Sequence, residues 1–203
     1  MRHFRRLVLI LAVFWSMFAH GQSSSVSVQI GGTSPAPIQV IASILERRFD
    51  SVKPGFFNSV STRTDGSHVT VQFSGWTPSN AQTDYLLKTT GRFKASFRGQ
   101  RDTPLIVESD VADSRPLTGR EKTELAIRLT NAAAVRVESQ TRSGTGKEII
   151  VEWEGHVITR LRLAGPLSRD IALTLPAEYD VLLISAALRG GRIPEGTTLT
   201  VAR

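Results

Sequence analysis

Alternating apolar and polar residues run through much of this chain, which is the pattern of β-strands that bury one face. The alternation is clearest from Glu148 to Leu163, where the dipeptide Glu154-Gly155 supplies the residues of a tight turn. The positions that share a face on either side of this turn are Ile149, Val151, Trp153, Val157, Thr159, Leu161 and Leu163. The pattern predicts a β-hairpin with one solvent-facing side.

Two further elements follow this hairpin. A third strand is predicted by the alternating residues Ile171, Leu173 and Leu175. The run from Val181 to Leu188 is apolar almost all round, which predicts a covering helix with little solvent-facing surface, ended by Gly190. We therefore expect residues 148–194 to form one sheet with a helix lying across it.

The first half of the chain has the order strand, helix, strand, strand, helix, strand. The strand from Val26 to Ile30 precedes a helix for which Ser34 is the expected cap and Pro35 the first residue. The remaining elements are a hairpin across Asp65-Gly66 joining residues 58–64 to 68–74, a helix from Thr77-Pro78 to Lys88, and a strand from Phe93 to Phe97. This order predicts a ferredoxin-like antiparallel sheet with helices on one face.

A polar joint at residues 99–103 leads into a second unit. Its expected elements are a strand at 105–108, a loop at 113–122, a strand at 125–129, an alanine-rich helix at 131–141, a Gly-rich turn at 143–147, and the hairpin and helix already described. Residues 197–201 alternate again and predict a final strand. The predicted fold class is α+β, with two small antiparallel units each covered by helices.

The first residues have the layout of a secretory signal peptide. Arg2, Arg5 and Arg6 precede an apolar run from Leu7 to Ala19, and Ala19-His20-Gly21 offers small residues for cleavage. As a helix, this run would span about 20 Å, which is shorter than the roughly 30 Å hydrocarbon core of a bilayer. We expect residues 1–21 to be removed on export to the periplasm, with an uncleaved anchor as the alternative.

The amino-acid composition excludes several classes of functional site and of partner. The chain contains no cysteine, which excludes a lipoprotein, a disulfide scaffold, a thiolate zinc site and a cysteine nucleophile. Its formal charge of +7 falls when residues 1–21 are removed, leaving 22 basic against 18 acidic residues. A modest charge spread along an exported chain does not predict a nucleic-acid partner.

Two motifs that resemble functional sites have simpler interpretations. The residues from Ser143 to Lys147 suggest a phosphate loop, but Thr141 occupies the first glycine position and Glu148 the required Ser/Thr position. We interpret them as a turn. His68 and His156 have no metal-ligand partner at helical or short-loop spacing, and we interpret both as polar surface residues.

The remaining charged residues are also interpreted as facing solvent. Glu148, Glu152 and Glu154 fall on strand or turn positions, so none is placed in the apolar pocket that acid/base chemistry needs. The basic groups are Arg92, Lys94 and Arg98 on one strand, and Arg160 and Arg162 on another. A docking surface for an acidic partner or anionic lipid is the alternative interpretation. No catalytic, cofactor-binding or metal-binding residue is assigned, and no cofactor is expected.

In order and spacing, two parts of the chain resemble the first periplasmic domain of SecD, the membrane subunit that assists protein export. The first part is similar to the family's Arg-containing helix, V-x-L-P-G strand and L-E-F-R strand; it comprises ILERRFD (44–50), HVTVQFSG (68–75) and YLLKTTGRFKASFR (85–98). The second is similar to the family's head subdomain; it comprises LIVESDV (105–111), IRLTNAAAVRVESQT (127–141), KEIIVEWEGHVI (147–158) and LLISAALRGGRIP (182–194).

The resemblance implies a base that is interrupted by a head, with the chain returning to the base at its end. It divides the chain into a signal peptide (1–21), a base (26–99), a head (104–196) and a return strand (197–203). The chain departs from the family at Thr159-Arg160-Leu161, which replace small residues and proline, and at Phe73-Ser74-Gly75, which lack the proline. No segment after Pro194 matches the family's transmembrane bundle, which holds its proton-linked residues.

These features imply a non-catalytic periplasmic module that binds unfolded or emerging polypeptide, or components of the Sec translocon. Exposed sheet edges, or a groove between base and head, would hold an extended chain by strand addition. Hinges are expected near Gly99–Pro104 and Ile193–Thr197. The alternative is a repurposed fold that serves as a structural or interaction protein of the envelope. Membrane contact is expected only through an uncleaved N-terminal segment.

Overall fold

A computed structural model describes residues 23–118 and 123–202, so the predicted signal peptide lies outside the described residues. The elements are β1 (Ser23–Gly32), α1 (Ile38–Asp50), β2 (Ser59–Asp65), β3 (His68–Ser74), α2 (Asn80–Lys88), β4 (Phe93–Phe97), β5 (Ile106–Val107), a 3₁₀ turn (Glu108–Asp110), β6 (Val111–Thr118), β7 (Thr123–Leu129), α3 (Asn131–Thr141), β8 (Glu148–Trp153), β9 (His156–Arg162), β10 (Asp170–Thr174), α4 (Val181–Gly190) and β11 (Thr197–Val201). None of the helices in these two ranges has the length and apolar character needed to cross a bilayer.

The strands form three sheets in which every described pair is antiparallel, and this confirms the α+β prediction. The sheet that we call the base sheet has the order β11-β1-β3-β2. The other two sheets, which we call the head sheets, have the orders β10-β7-β6 and β5-β4-β8-β9. The base order is that of a ferredoxin-like fold whose last strand comes from the end of the chain.

The prediction that β4 completes the base sheet is wrong. This strand pairs with β8, where Phe93 faces Trp153, and with β5. The position next to β1 is filled by β11, with Val28 facing Val201. The alternation of β4 revealed a strand but not its partner, because any strand with one buried face has the same period. The division of the chain into base and head units stays a prediction.

Two other expectations in the head are wrong. The third strand, β10, pairs with β7 and not with the hairpin formed by β8 and β9. Most of the loop expected at residues 113–122 is the strand β6, which reaches Thr118. Ser114 and Pro116 obscured this strand, but Ser114 is buried and donates a hydrogen bond to the carbonyl of Ser185. A proline is tolerated because β6 is an edge strand.

Both N-terminal helices begin later than predicted. Ser34 does not cap α1, which begins at Ile38 after Pro37 without a side-chain cap. Ala36 precedes Pro37 and is therefore disfavoured in a helical conformation, so the helix cannot begin at Pro35. The helix α2 begins at Asn80, where Ser79 and Gln82 form a capping box that the sequence interpretation overlooked.

A single helix, α4, is packed into both hydrophobic cores. On one face, Leu183, Ala186 and the nearby Ile193 join the base core beneath β1 and β3. The residues on the other face join the head core, and they are Val181, Ile184, Ala187 and Leu188. Leu182, which was expected to be buried, is 37% exposed. The helix therefore connects the two cores as well as covering a sheet.

Candidate functional site

The chain passes between the base sheet and the head sheets at two segments that lie side by side, Thr89–Arg92 and Gly191–Gly196. We call this pair of segments the junction. The amide of Ile193 donates to the carbonyl of Thr90 at 2.8 Å, which joins one segment to the other. Arg192 Nη1 donates to Glu108 Oε1 at 2.7 Å, which ties the second segment to the head.

Arg48 is the centre of the junction on the base side. It continues the buried row of α1 that contains Ile41, Ile44 and Leu45, and its own side chain is 0% exposed. Its guanidinium donates to four backbone carbonyls, those of Leu86 (2.7 Å), Thr89 (2.6 Å), Thr90 (3.1 Å) and Gly191 (2.8 Å). Burial lowers the pKa of Arg48 to about 10, while Glu154 and Tyr85 oppose this shift. The group stays charged at neutral pH and holds both segments by their carbonyls.

Glu154 binds the same segment from the head side. Its carboxylate accepts four hydrogen bonds: Oε2 from the Thr90 amide (3.2 Å) and hydroxyl (2.7 Å), and Oε1 from the amides of Gly91 (2.7 Å) and Arg92 (2.8 Å). The residue has φ of 52° in the tight turn that it forms with Gly155, an uncommon conformation for a non-glycine residue. The turn was predicted correctly, but the expectation that Glu154 points to solvent is wrong.

In the segment Thr89–Arg92, backbone amides are thus bound by the Glu154 carboxylate and backbone carbonyls by the Arg48 guanidinium. Tyr85 and Trp153 extend the contact between α2 and β8, because Trp153 Nε1 donates to the Tyr85 hydroxyl at 3.0 Å. Burial raises the pKa of Tyr85 above its ordinary value. The arrangement holds backbone in place, and Arg48 Nε, which has no hydrogen-bond partner among the described residues, is buried and out of reach of a substrate.

Close approach of α1 and α4 is required for this geometry. A Cβ atom on Gly190 would lie 2.2 Å from Arg48 Cγ and 3.0 Å from the carbonyl oxygen of Ile44. Arg47 adds two hydrogen bonds to the carbonyl of Gly190, at 3.2 and 2.9 Å. Only glycine fits between the two helices at this point, which explains Gly190, and Gly191 follows it with a positive φ of 94°.

The segments expected to act as hinges lie elsewhere or are tightly bound. Residues 99–104 connect β4 to β5 within one sheet, so they do not join base to head. In the second segment, Ser34 donates to the carbonyl of Gly196 at 3.3 Å, and the amide of Ala36 donates to Thr197 Oγ1 at 3.0 Å. The crossing that the sequence interpretation missed is Thr89–Arg92, which the side chains of Arg48 and Glu154 bind.

The other glutamates are paired with the predicted basic stripe. Glu152 is only 7% exposed, so its expected solvent position is wrong; Lys94 Nζ lies 3.2 Å and Arg101 Nε 3.7 Å from its carboxylate. Glu148 pairs with Arg98 at 3.1 Å. Glu152 is buried because β8 is covered on both faces. Lys94 and Arg98 of the first basic group therefore make cross-strand ion pairs, whereas the interpretation of Arg160 and Arg162 stays a prediction.

The structure does not bring together the remaining sequence candidates. His68 begins β3 in the base, whereas His156 is exposed at the start of β9 in the head. In the turn at residues 143–147, the Gly146 amide donates to the Leu163 carbonyl and the Lys147 amide to the Gly144 carbonyl. Lys147 Nζ lies 5.2 Å from the centre of the Phe97 ring. Across the two described ranges, no three His, Asp or Glu side chains are grouped as metal ligands would be.

The surfaces open to a partner include sheet edges and the outer face of the base sheet. The base sheet turns an outer face to solvent whose side chains are mostly small and uncharged, namely Ser23, Ser25, Ser59, Ser61, Thr70, Gln72 and Ser74. Part of this face forms a shallow concavity of about 460 Å³. A second concavity of about 340 Å³ lies between α1 and β6, with Arg47, Asp50, Asp113 and Arg189 among its polar lining.

Replacing Glu154 by glutamine is expected to lower the free energy of unfolding by about 2–4 kcal/mol, because hydrogen bonds to a charged group contribute roughly 1.5–3 kcal/mol each. The amide group of glutamine keeps one acceptor and turns a donor toward backbone amides. Urea unfolding measures the change. Glu148→Gln is the matched control, since Glu148 makes one exposed ion pair. Equal stability of the two variants would contradict the role of Glu154.

Comparison with known proteins finds solved structures that share this fold. No family model and no curated protein matches the chain. SecDF in its super-membrane-facing form is similar over 91% of this chain and 30% of its own, with 16% identity and a TM-score of 0.66. A structure of SecDF, described as a membrane component that enhances protein export, is similar over 89% of this chain and 99% of its own, with 16% identity and a TM-score of 0.64.

The chain spans about 30% of the first SecDF chain. The resemblance predicted from the sequence is confirmed at the level of the fold, which this chain shares with the SecDF structures over about 90% of its length.

Proposed function

We propose that this chain is a SecD-like, non-catalytic module of protein export that binds extended polypeptide in the periplasm. The observation that carries the proposal is the fold shared with a SecDF structure over 89% of this chain and 99% of that one. That protein is described as enhancing protein export. The placement of His68 and His156 on separate sheets and the structural use of Arg48 and Glu154 support a role in binding over one in catalysis.

The outer edge of β2 is the best position for an added strand. β2 pairs with β3 in unbroken register from Ser59 to Asp65, and no described strand occupies its other side. Backbone amides and carbonyls along such an edge pair with an extended chain, and side chains only modulate which sequences are bound. Because β2 carries Ser, Thr and a single valine, with Arg63 and Asp65 near its end, it would accept many client sequences.

Three of the other edges, those of β6, β9 and β5, are less suited to strand addition. β6 carries Pro116 and an irregular register between Val111 and Asp113, and both features interrupt edge pairing. β9 is irregular opposite Val151 and Glu152. β5 has only two residues. This difference between edges makes the proposal specific enough to test by position.

Photo-crosslinking from β2 tests the proposal. A photoreactive amino acid is introduced at Ser61, on the β2 edge, in bacterial cells that have a periplasm. It is expected to crosslink to newly exported polypeptides or to Sec translocon components. The matched control is the same group at Arg115, an exposed position on the proline-bearing edge β6. Mass spectrometry of the products identifies the partners.

Two outcomes would overturn the proposal. Equal crosslinking from Ser61 and Arg115 would remove the assignment to the β2 edge. Products that contain envelope proteins but neither export clients nor translocon components would support the alternative, a repurposed SecD-like fold with a structural or interaction role.

A further inference from the structure

Two adjacent phenylalanines stand fully in solvent on the loop between α1 and β2. Phe56 and Phe57 have relative exposures of 101% and 102%, so neither touches the rest of the protein appreciably. Exposed large aromatic side chains in a contiguous pair are unusual on a soluble surface and mark an interaction site. This loop has no part in the junction or in the β2 edge.

The loop is built so that the two rings form its tip. The amide of Asn58 donates to the carbonyl of Gly55 at 3.3 Å, which makes the two phenylalanines the central residues of a four-residue turn. Behind the tip, Val52 is buried in the base core. The Asn58 side chain packs against Gly75, where an added Cβ would lie 2.4 Å from Asn58 Oδ1. Both sides of the loop are therefore fixed, and the rings project.

The tip lies at the edge of the base sheet where the N-terminal segment joins it. Ser59 faces Ser74 across β2 and β3, and Ser74 faces Ser23 across β3 and β1. Two strand spacings correspond to about 10 Å. The apolar run from Leu7 to Ala19 ends four residues before Ser23, and four extended residues span at most about 14 Å. A lipid-embedded N-terminal run would thus bring this edge of the sheet close to the bilayer surface.

The chemistry of the tip favours lipid over a protein partner. Residues 54–62, with the sequence PGFFNSVST, contain no charge, and the nearby Lys53 is paired with Asp50 at 2.6 Å. Two phenylalanine side chains bury about 150–250 Å² each, whereas a stable protein interface needs roughly 800 Å² per partner. A bilayer surface needs no complementary shape, and aromatic rings at the end of a rigid turn can enter it singly.

We propose that Phe56 and Phe57 form a membrane-contacting tip that inserts into the interfacial layer of a lipid bilayer. This contact is additional to any made by the N-terminal segment and orients the base sheet with its Ser23 end toward the lipid. Because the tip carries no charge, insertion does not require anionic lipid. The inference rests on the loop itself and not on the proposed role in export.

The absence of cysteine from the chain gives a site-specific test. The full chain carrying Gly55→Cys, labelled with a polarity-sensitive dye, is reconstituted with phosphatidylcholine vesicles. Gly55 has room for a side chain, since the nearest atom to an added Cβ is 3.8 Å away. The expected result is a blue shift of the dye emission and loss of quenching by aqueous iodide. Ser67→Cys, exposed in the turn at the far end of the β2–β3 hairpin, is the control and should stay quenched.

A triple variant separates the tip from the N-terminal segment. Gly55→Cys combined with Phe56→Ser and Phe57→Ser should regain iodide quenching, with the thermal midpoint unchanged because both rings are exposed. The proposal is overturned if the Gly55 label is as quenched as the Ser67 label on vesicles. It is equally overturned if the triple variant keeps its protection, or if protection develops in concentrated protein without lipid, which would indicate self-association.

Discussion

Ile184→Asp is expected to abolish soluble protein. Ile184 lies on α4 with 1% of its surface exposed and belongs to the head core. Losing its burial costs about 1.5–3 kcal/mol, and an unpaired buried carboxylate costs several kcal/mol more. Since whole domains are stable by about 5–15 kcal/mol, this single change is comparable to the total. Soluble yield and urea unfolding measure the effect.

Leu182 provides a control on the same helix. Leu182 is 37% exposed, so Leu182→Asp places its carboxylate in water and should retain soluble, folded protein. A folded Ile184→Asp variant with the stability of Leu182→Asp would show that α4 is not in the core. Because both variants place the same carboxylate on the same helix, burial is the largest difference between them.

Arg48→Met is expected to lower the free energy of unfolding by about 3–5 kcal/mol, the usual cost of removing one partner from a buried charged network. Methionine fills a similar volume but leaves the carbonyls of Leu86, Thr89, Thr90 and Gly191 without their donor. Urea unfolding monitored by tryptophan fluorescence measures the loss. Arg48→Lys should be intermediate, since one ammonium cannot reach carbonyls on both sides of a planar guanidinium.

Arg47→Met is the matched control for this prediction. Arg47 is the preceding residue of α1, is exposed, and binds only the carbonyl of Gly190. Water can replace it there, so the expected loss is below about 1 kcal/mol. Similar losses for Arg47→Met and Arg48→Met would contradict the assignment of Arg48 as the centre of the junction.

Local structure was predictable at several positions where a short-range rule applied, although the cap rules misplaced the starts of α1 and α2. The turn at Glu154-Gly155 followed from dipeptide chemistry, and α3 and α4 followed from their apolar and alanine-rich runs. Strand partners were not predictable, because β4 and β10 have the same alternation whichever neighbour they pair with. That information lies in contacts between residues distant in sequence.

The junction was missed because its two central residues are charged. Period-two alternation assigns Glu152 and Glu154 to the solvent-exposed face of the hairpin. The three consecutive charged residues 46–48 suggest that Arg48 lies on the solvent-exposed side of its helix. One signal was present: Arg48 continues the row of Ile41, Ile44 and Leu45 at spacings of three and four, which places it on the buried face of α1. A charged residue in such a row predicts a buried partner.

The pairing of β1 with β11 has a consequence for the order in which this protein can fold. Val28, near one end of the chain, faces Val201, near the other, and Ala202 donates to the carbonyl of Ser27. A chain that emerges from its N-terminus, from a ribosome or across a membrane, presents β1 with one side unpaired until residues 197–201 arrive. Such non-local pairing slows folding. Until β11 arrives, the protein is itself an incomplete chain with an open strand edge, the same kind of object that it is proposed to bind.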